Sequence, residues 1–238
     1  MLEELKVEVC EANRALKASG LVILTWGNVS ARDPQTGLVV IKPSGVEYDT
    51  MRPEDMVVVD PDGKVVEGKL RPSSDTPTHL VLYREFDFVG GVAHTHSTRA
   101  TAWAQACRPL PCYGTTHADS FRGEVPVTAP LTAEALAGDY EVETGLAIVA
   151  AFAGIDAKEM GAVLVASHGP FTWGPDAAKA VENSIVLEEV ARMAMFTERL
   201  RADVEGIGCG LRDKHFLRKH GPGAYYGQAP EPKETSEG

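Results

Sequence analysis

Residues 89–106 read VGGVAHTHSTRATAWAQA. The first half, taken from Phe88 to Ser97, is an apolar run of strand type, and Thr98 to Ala106 reads as a helix. A strand running straight into a helix points to the α/β class. Two histidines, His94 and His96, close the apolar run. Neutral imidazole is costly to bury unless its ring nitrogens find partners. Side chains alternate faces along a strand, so His94 and His96 point the same way while Thr95 points to the other side. Two imidazoles on one face can grip one ion. By itself an HxH pair is equally compatible with a metal and with histidines satisfied by ordinary hydrogen bonds.

Upstream, Leu2, Leu5, Val9, Ala12 and Leu16 recur at three- and four-residue steps and Gly20 follows, the pattern of an amphipathic helix with a glycine stop. LVILTW (21–26) predicts a short strand breaking into GNVSAR, and GLVVIKPSG (37–45) a strand running into a turn. DMVVVDPDGKVVEGK (55–69) predicts a hairpin about its Asp-Gly turn. PSSDTPTHLVLYREF (72–86) opens with capping residues and continues as a helix. Residues 132–153 and 176–202 each predict one helix, and GAVLVASHGPFTWG (161–174) another strand-to-loop unit. No repeat or linker divides the chain, so one domain over 1–228 is expected. The tail 229–238, low in apolar residues, is expected to be disordered.

The 238 residues are 44% hydrophobic and 24% charged, ample for a sizeable core. The longest apolar run, GLAIVAAFAGI, is too short to span a bilayer. The start MLEELKVEVC lacks the basic-then-apolar order of a signal peptide. Cys10, Cys107, Cys112 and Cys209 form no CxxC pair, which suits reduced thiols in a cytoplasm. A net charge of −11 argues against a nucleic-acid surface. It does not exclude an anionic substrate held by local amides and hydroxyls.

A tetrahedral zinc needs ligands beyond two histidines. His168 ends the run GAVLVAS and repeats the strand-end setting; Asp75, in PSSD, opens the helix just before the His94 strand. Three turns share a second chemistry: WGNVS (Gly27, Asn28), KPSG (Lys42, Ser44, Gly45) and RPSSD (Ser73, Ser74). Each offers small amide or hydroxyl donors, and Ser73–Ser74 stand where helix amides attract an anion. For any one of them capping and turn formation is the better explanation; the set gains weight because Ser73–Ser74 abut Asp75. Lys42 is its weakest member. Trp26 and Trp103 read as core or pocket wall. His79 and His117 read as residues that orient neighbours by hydrogen bonds rather than metal ligands; His215 and Arg218, near the tail, are placed to reach a neighbour's phosphate, and His220 carries no site role.

The segments LTWGNVSA, VIKPSGV, PSSDTPTH, HTHS, GTTHAD, SHGPF and DKHFLRKHGPGAYYGQ together resemble the L-ribulose-5-phosphate 4-epimerases of the class II aldolase superfamily. The likeness is collinear from Met1 to about Gln228. It implies a three-layer α/β/α fold with a central mixed, mostly antiparallel sheet. It further implies a zinc site of Asp75, His94, His96 and His168, with manganese or cobalt as substitutes. The substrate phosphate would rest on Gly27, Asn28, Ser44, Gly45, Ser73 and Ser74. Asp119 and Tyr226 would handle protons, the tyrosine arriving from a neighbouring subunit of a homotetramer. Read without the resemblance, Asp119 is a loop carboxylate and Tyr226 a tail aromatic. A fuculose-phosphate-type aldolase is the competing enzyme, and a metal-free adducin-like binding module the competing non-enzyme. The shorter Asp75, where aldolases carry a glutamate, favours the epimerase. Four ligands would fill a tetrahedral zinc, so Asp75 either stays as coordination expands or loosens to serve proton transfer.

Overall fold

The computed structural model describes residues 2–226; the tail 229–238 lies outside them. In chain order the elements are α1 (Glu3–Ala18), β1 (Asn28–Arg32), β2 (Val39–Ile41), β3 (Val57–Val59), β4 (Val65–Glu67), α2 (Thr76–Glu85), β5 (Gly91–His94), α3 (Thr98–Gln105), α4 (Thr115–Ala118), α5 (Ala133–Ala137), α6 (Tyr140–Ala151), β6 (Ala162–Leu164), β7 (Pro170–Gly174), α7 (Ala177–Leu200) and α8 (Cys209–His220).

The strands form one sheet in the order β4-β3-β2-β1-β5-β7-β6, with every neighbouring pair antiparallel. The parallel pairing among the described residues is an isolated bridge, Val127 to Leu164. Alternation along the strands feeds two apolar cores, one on each face. On β5, Val92 joins Ile41, Phe171 and Trp173 in the core covered by α2, α3 and α6. Ala93 joins Val29, Val40 and Val58 in the core under α1 and the start of α7. This is the three-layer arrangement the resemblance implies. The helices dock by their apolar stripes: Val9, Ala12 and Leu16 of α1 are buried. A side chain such as Leu16, 0% exposed, contributes about 2 kcal/mol by burial. Gly20, at φ +71°, turns the chain away after α1.

The sequence reading is corrected in places. LVILTW is not a strand: Leu24 takes φ +54°, and Ile23 and Leu24 are each 58% exposed. The strand starts at Asn28, where Val29 exchanges backbone hydrogen bonds with the Asn13 amide of α1. The helix expected over 132–153 is two, α5 and α6, divided at Gly138; the Asp139 side chain caps the second by accepting from Val142 N. GAVLVASHGPFTWG holds two strands rather than one, β6 and β7, with His168 in the turn between them. Helices α4 and α8 were not expected.

Candidate active site

Antiparallel pairing sets Asn28 of β1 and Phe171 of β7 opposite His94, the last residue of β5. His94 is buried beside Phe171, with its ring stacked at 4.2 Å between centroids. Its Nδ1 lies 2.9 Å from the Pro170 carbonyl. A carbonyl can only accept, so Nδ1 carries the proton and the Nε2 lone pair faces outward. His96 follows the strand end, and its Nε2 lies 3.0 Å from that of His94. His168 completes the group: each ring offers a nitrogen, and these lie within 4.8 Å of one another. The Tyr140 hydroxyl sits 3.4 Å from His168 Nδ1. Burial lowers the pKa of all three rings, that of His94 to about 3, with its neighbours His168 and His96 adding to the effect. Neutral imidazoles are the form that ligates a metal. Three converging nitrogen donors, one with its tautomer fixed from behind, fit a divalent transition-metal ion.

The convergence holds for His94, His96 and His168 but not for Asp75, which stands outside that set. The Asp75 carboxylate instead accepts from the Asn28 amide at 2.6 Å and faces the Ser73 hydroxyl at 3.5 Å. Burial alone would raise its pKa; the His94 and His79 rings and the Asn28 amide reverse this and hold it below the ordinary value. Asp75 makes no capping bond to α2, so it stays available on the wall of the same cleft.

That cleft encloses about 600 Å³. All six residues of the expected anion set line it (Gly27, Asn28, Ser44, Gly45, Ser73 and Ser74), together with Lys42 and the metal-site residues. Two of the turns are tied side by side: Ser44 N donates to Arg71 O at 2.9 Å, and Ser73 N to Lys42 O at 3.0 Å. Gly27 is at φ +79°, and a Cβ there would stand 2.8 Å from the His94 carbonyl, so only glycine lets this turn lie against the His94 strand. Lys42, weakest in the sequence reading, is 2% exposed. Its Nζ meets the carbonyls of Thr25 at 3.4 Å and Pro43 at 3.3 Å, and among the described residues it forms no ion pair. Burial depresses its pKa to about 8, with Glu47 opposing. Tyr140 and Glu141 also line the cleft, although nothing in their sequence spacing marks them. Trp26 is pocket wall and half exposed, whereas Trp103 is core, with its Nε1 donating to Ala191 O.

Asp119 and Tyr226 do not line the cleft within one chain. Asp119 closes α4, and its carboxylate accepts from Arg218 at 3.0 and 2.7 Å and lies 3.0 Å from His215 Nδ1, both on α8. Burial opposes ionisation, but the Arg218 and His215 hydrogen bonds prevail and lower its pKa. Tyr226 is 61% exposed, with its ring beside the Arg218 guanidinium and the Lys219 ammonium, 4.9 and 4.3 Å from its centroid. A second constellation therefore assembles on α4, α8 and the segment after it. His79 and His117 bond as expected, to Ser30 and to the Gly123 carbonyl, whereas His215, expected with Arg218 near a neighbour's phosphate, bonds with it to the Asp119 carboxylate, and His220 bonds to the Asp119 carbonyl.

Residues 7–195 match the family described as Class II Aldolase and Adducin N-terminal domain. The chain belongs to that family. It is 54% identical over 227 residues to L-ribulose-5-phosphate 4-epimerase UlaF of Salmonella paratyphi A (strain ATCC 9150 / SARB42), covering 95% of this chain and all of the relative. The same identity and coverage hold for the protein of that name from Salmonella typhi. Among solved structures, an L-fuculose 1-phosphate aldolase superposes with a TM-score of 0.78 at 25% identity, covering 91% of this chain and 96% of its own. L-fuculose-1-phosphate aldolase from Thermus thermophilus gives 0.67 at 26% identity, covering 85% and 100%. The superposition on the first of these aldolases extends over nearly the whole fold. Family membership alone leaves both enzymes and adducin-type modules open.

Proposed function

We propose that the protein is an isomerase that interconverts L-ribulose 5-phosphate and D-xylulose 5-phosphate by cleaving and re-forming C3–C4. The observation that carries this is the pairing, in one cleft, of a three-histidine metal group with a cradle of small donors around a buried lysine. The 54% identity to named epimerases supports the choice of substrate. The intact histidine group stands against an adducin-like module. No helix among the described residues is long and apolar enough to cross a membrane. The setting we infer, from the reduced-thiol reading and the sugar-phosphate chemistry, is cytoplasmic carbohydrate metabolism.

The chemistry explains the two ends of the cleft. The C4 hydrogen is two carbons from the C2 carbonyl, so its direct removal yields no stabilised carbanion. Loss of the C4 hydroxyl proton drives C3–C4 cleavage, giving the enediolate of dihydroxyacetone and glycolaldehyde phosphate. The aldehyde turns, presents its other face, and the bond re-forms with that oxygen regaining a proton. His94, His96 and His168 would hold a divalent ion, zinc by our reading, with manganese or cobalt as substitutes. Bound there it supplies Lewis-acid stabilisation of negative charge on the sugar oxygens. Asp75, on the same cleft wall, would either join the three histidines in holding the ion or serve proton transfer. Gly27, Asn28, Ser44, Gly45, Ser73 and Ser74, with the charge of Lys42, would retain the phosphorylated fragment while it rotates.

Asp119 and Tyr226 would act as the acid/base pair on opposite faces of C4. The cleft of one chain contains neither; in a cyclic homotetramer a neighbouring copy would bring Tyr226, and Asp119, which shares Arg218 with it, would arrive on the same surface. Exposed apolar residues flank both surfaces: Ile23, Leu24 and Trp26 by the cleft, and Leu217, Tyr225 and Tyr226 by α8. The deciding experiment incubates metal-loaded protein with L-ribulose 5-phosphate and follows D-xylulose 5-phosphate through a coupled assay. Epimer formation supports the proposal. Accumulation of free dihydroxyacetone without epimer assigns the protein to the aldolases.

A further inference from the structure

Tyr48 is 1% exposed, has no place in the chemistry above, and is not part of the cleft wall. It nonetheless touches two of the segments that line it. Its hydroxyl lies 2.7 Å from the Trp26 carbonyl and 2.7 Å from the Gly27 carbonyl. Both oxygens only accept, so the single phenolic hydrogen is shared between them. Its ring face carries the Lys42 ammonium, 4.8 Å from the centroid. Cation–π attraction is strongest where water is excluded, and Lys42 is almost fully buried. The ammonium has no carboxylate among its partners; the ring and the carbonyls of Thr25 and Pro43 take the place of water around it. A carboxylate would have neutralised the charge and repelled an anion. An aromatic face holds the cation and leaves its charge to the cleft.

We propose that Tyr48 is a positioning residue for an anion subsite: its hydroxyl pins the Trp26–Gly27 turn and its ring seats Lys42. One buried side chain thereby fixes the distance between the two strand-end turns on which a substrate phosphate would rest. The inference rests on the cleft being a sugar-phosphate site, but its core, coupling of Tyr48 to Lys42 in binding an anion, is measurable without turnover.

The test titrates inorganic phosphate into metal-loaded wild-type, Tyr48→Phe, Lys42→Met and double-variant protein by calorimetry, with metal content and KM and kcat on L-ribulose 5-phosphate measured in parallel. Tyr48→Phe keeps the ring and loosens the turn, so phosphate should bind about tenfold more weakly. The loss in turnover should fall mainly on KM, with metal content unchanged. In the Lys42→Met background the same change should cost clearly less, because coupled residues are not additive. Unchanged phosphate affinity in Tyr48→Phe, or a loss of equal size in both backgrounds, overturns the proposal. Wild-type protein that binds phosphate but forms no xylulose 5-phosphate overturns the epimerase reading and leaves the Tyr48 test intact. A measurement on unaltered protein covers failure of Tyr48→Phe to fold. With carbon-13 at lysine Cε, and Lys42→Arg to assign the signal, the Lys42 methylene beside Nζ should be shifted upfield by the ring. A signal at the position of a solvated lysine places the ammonium off the ring and refutes the proposal.

Discussion

Gly27→Ala probes how closely the anion turn is fitted to the His94 strand. Gly27 sits at φ +79°, and an added Cβ would meet the His94 carbonyl at 2.8 Å and Val22 Cγ1 at 2.9 Å. Gly20 has a similar φ of +71° with nothing within 4 Å of its would-be Cβ, so Gly20→Ala isolates the backbone cost. That cost is about 1–2 kcal/mol for an L-residue in the left-handed region. Gly27→Ala adds overpacking of about 1–3 kcal/mol, for a total of about 2–5 kcal/mol. Since ordinary contact begins near 3.4 Å, the His94 backbone must retreat by about 0.6 Å. Sites of this kind tolerate displacements of only about 0.5 Å. Metal affinity should therefore fall about tenfold or more, the scale seen when a ligand's support is lost. Urea denaturation of the metal-free variants gives the stability difference, and competition with a chelating dye gives the affinity. If the two alanine variants lose equal stability and Gly27→Ala binds metal like wild type, the turn does not press on the His94 strand and this reasoning is wrong.

Further outcomes follow from the same geometry. His94→Asn should abolish binding of about one divalent ion per chain, as read by elemental analysis after dialysis; retention of the ion would remove His94 from the ligand set. Tyr226→Phe should slow turnover by about a hundredfold or more, the scale of general acid–base catalysis, without altering metal content. If Tyr226 serves a neighbour's cleft, mixing unfolded His94→Asn and Tyr226→Phe chains and refolding them together should restore activity at about a quarter of the sites; absence of any recovery would confine both residues to one subunit. Lys42 gives a pH signature. Its folded pKa of about 8 lies below the ordinary 10.5, so between these values the unfolded chain holds a proton that the folded chain has released. Stability attributable to Lys42 must then rise with pH across that window, while phosphate affinity falls as pH passes 8. Comparing wild type with Lys42→Met in urea at pH 8 to 10 isolates the first effect; a wild-type curve that falls relative to the variant would contradict it.

The local chemistry of the metal group was legible because it is local. HTH at the end of an apolar strand puts two rings within reach of each other, although the strand itself stops at His94 and His96 follows it, and His168 repeats the setting in a second strand-end loop. The hairpin about Asp62–Gly63 and the helices α1, α2, α3 and α7 were readable from period and capping signals. What stayed hidden depends on long-range pairing. LVILTW has strand composition, yet the sheet begins seven residues after its first leucine, because Asn13 and β5 capture the backbone from Asn28 and Val29. The depth of Lys42 could not be seen, since an isolated lysine reads as surface until the Tyr48 ring and the neighbouring turn enclose it. Asp75 was expected with the histidines; Asn28 and Ser73 hold its Oδ2 a step apart from them on the same cleft wall, a long-range pairing that the sequence does not display. Asp119 and Tyr226 entered only by resemblance: their separation from the cleft in one chain leaves no spacing rule that could connect them to it.

The account turns on which bond at C4 is broken, and running the reaction in deuterium oxide addresses that directly. Cleavage of C3–C4 leaves the C4 hydrogen on the aldehyde fragment, so xylulose 5-phosphate formed by the metal-loaded protein should carry ordinary hydrogen at C4 by NMR and mass spectrometry. Deuterium at C4 would mean that the C–H bond itself is broken, and would contradict the cleavage mechanism.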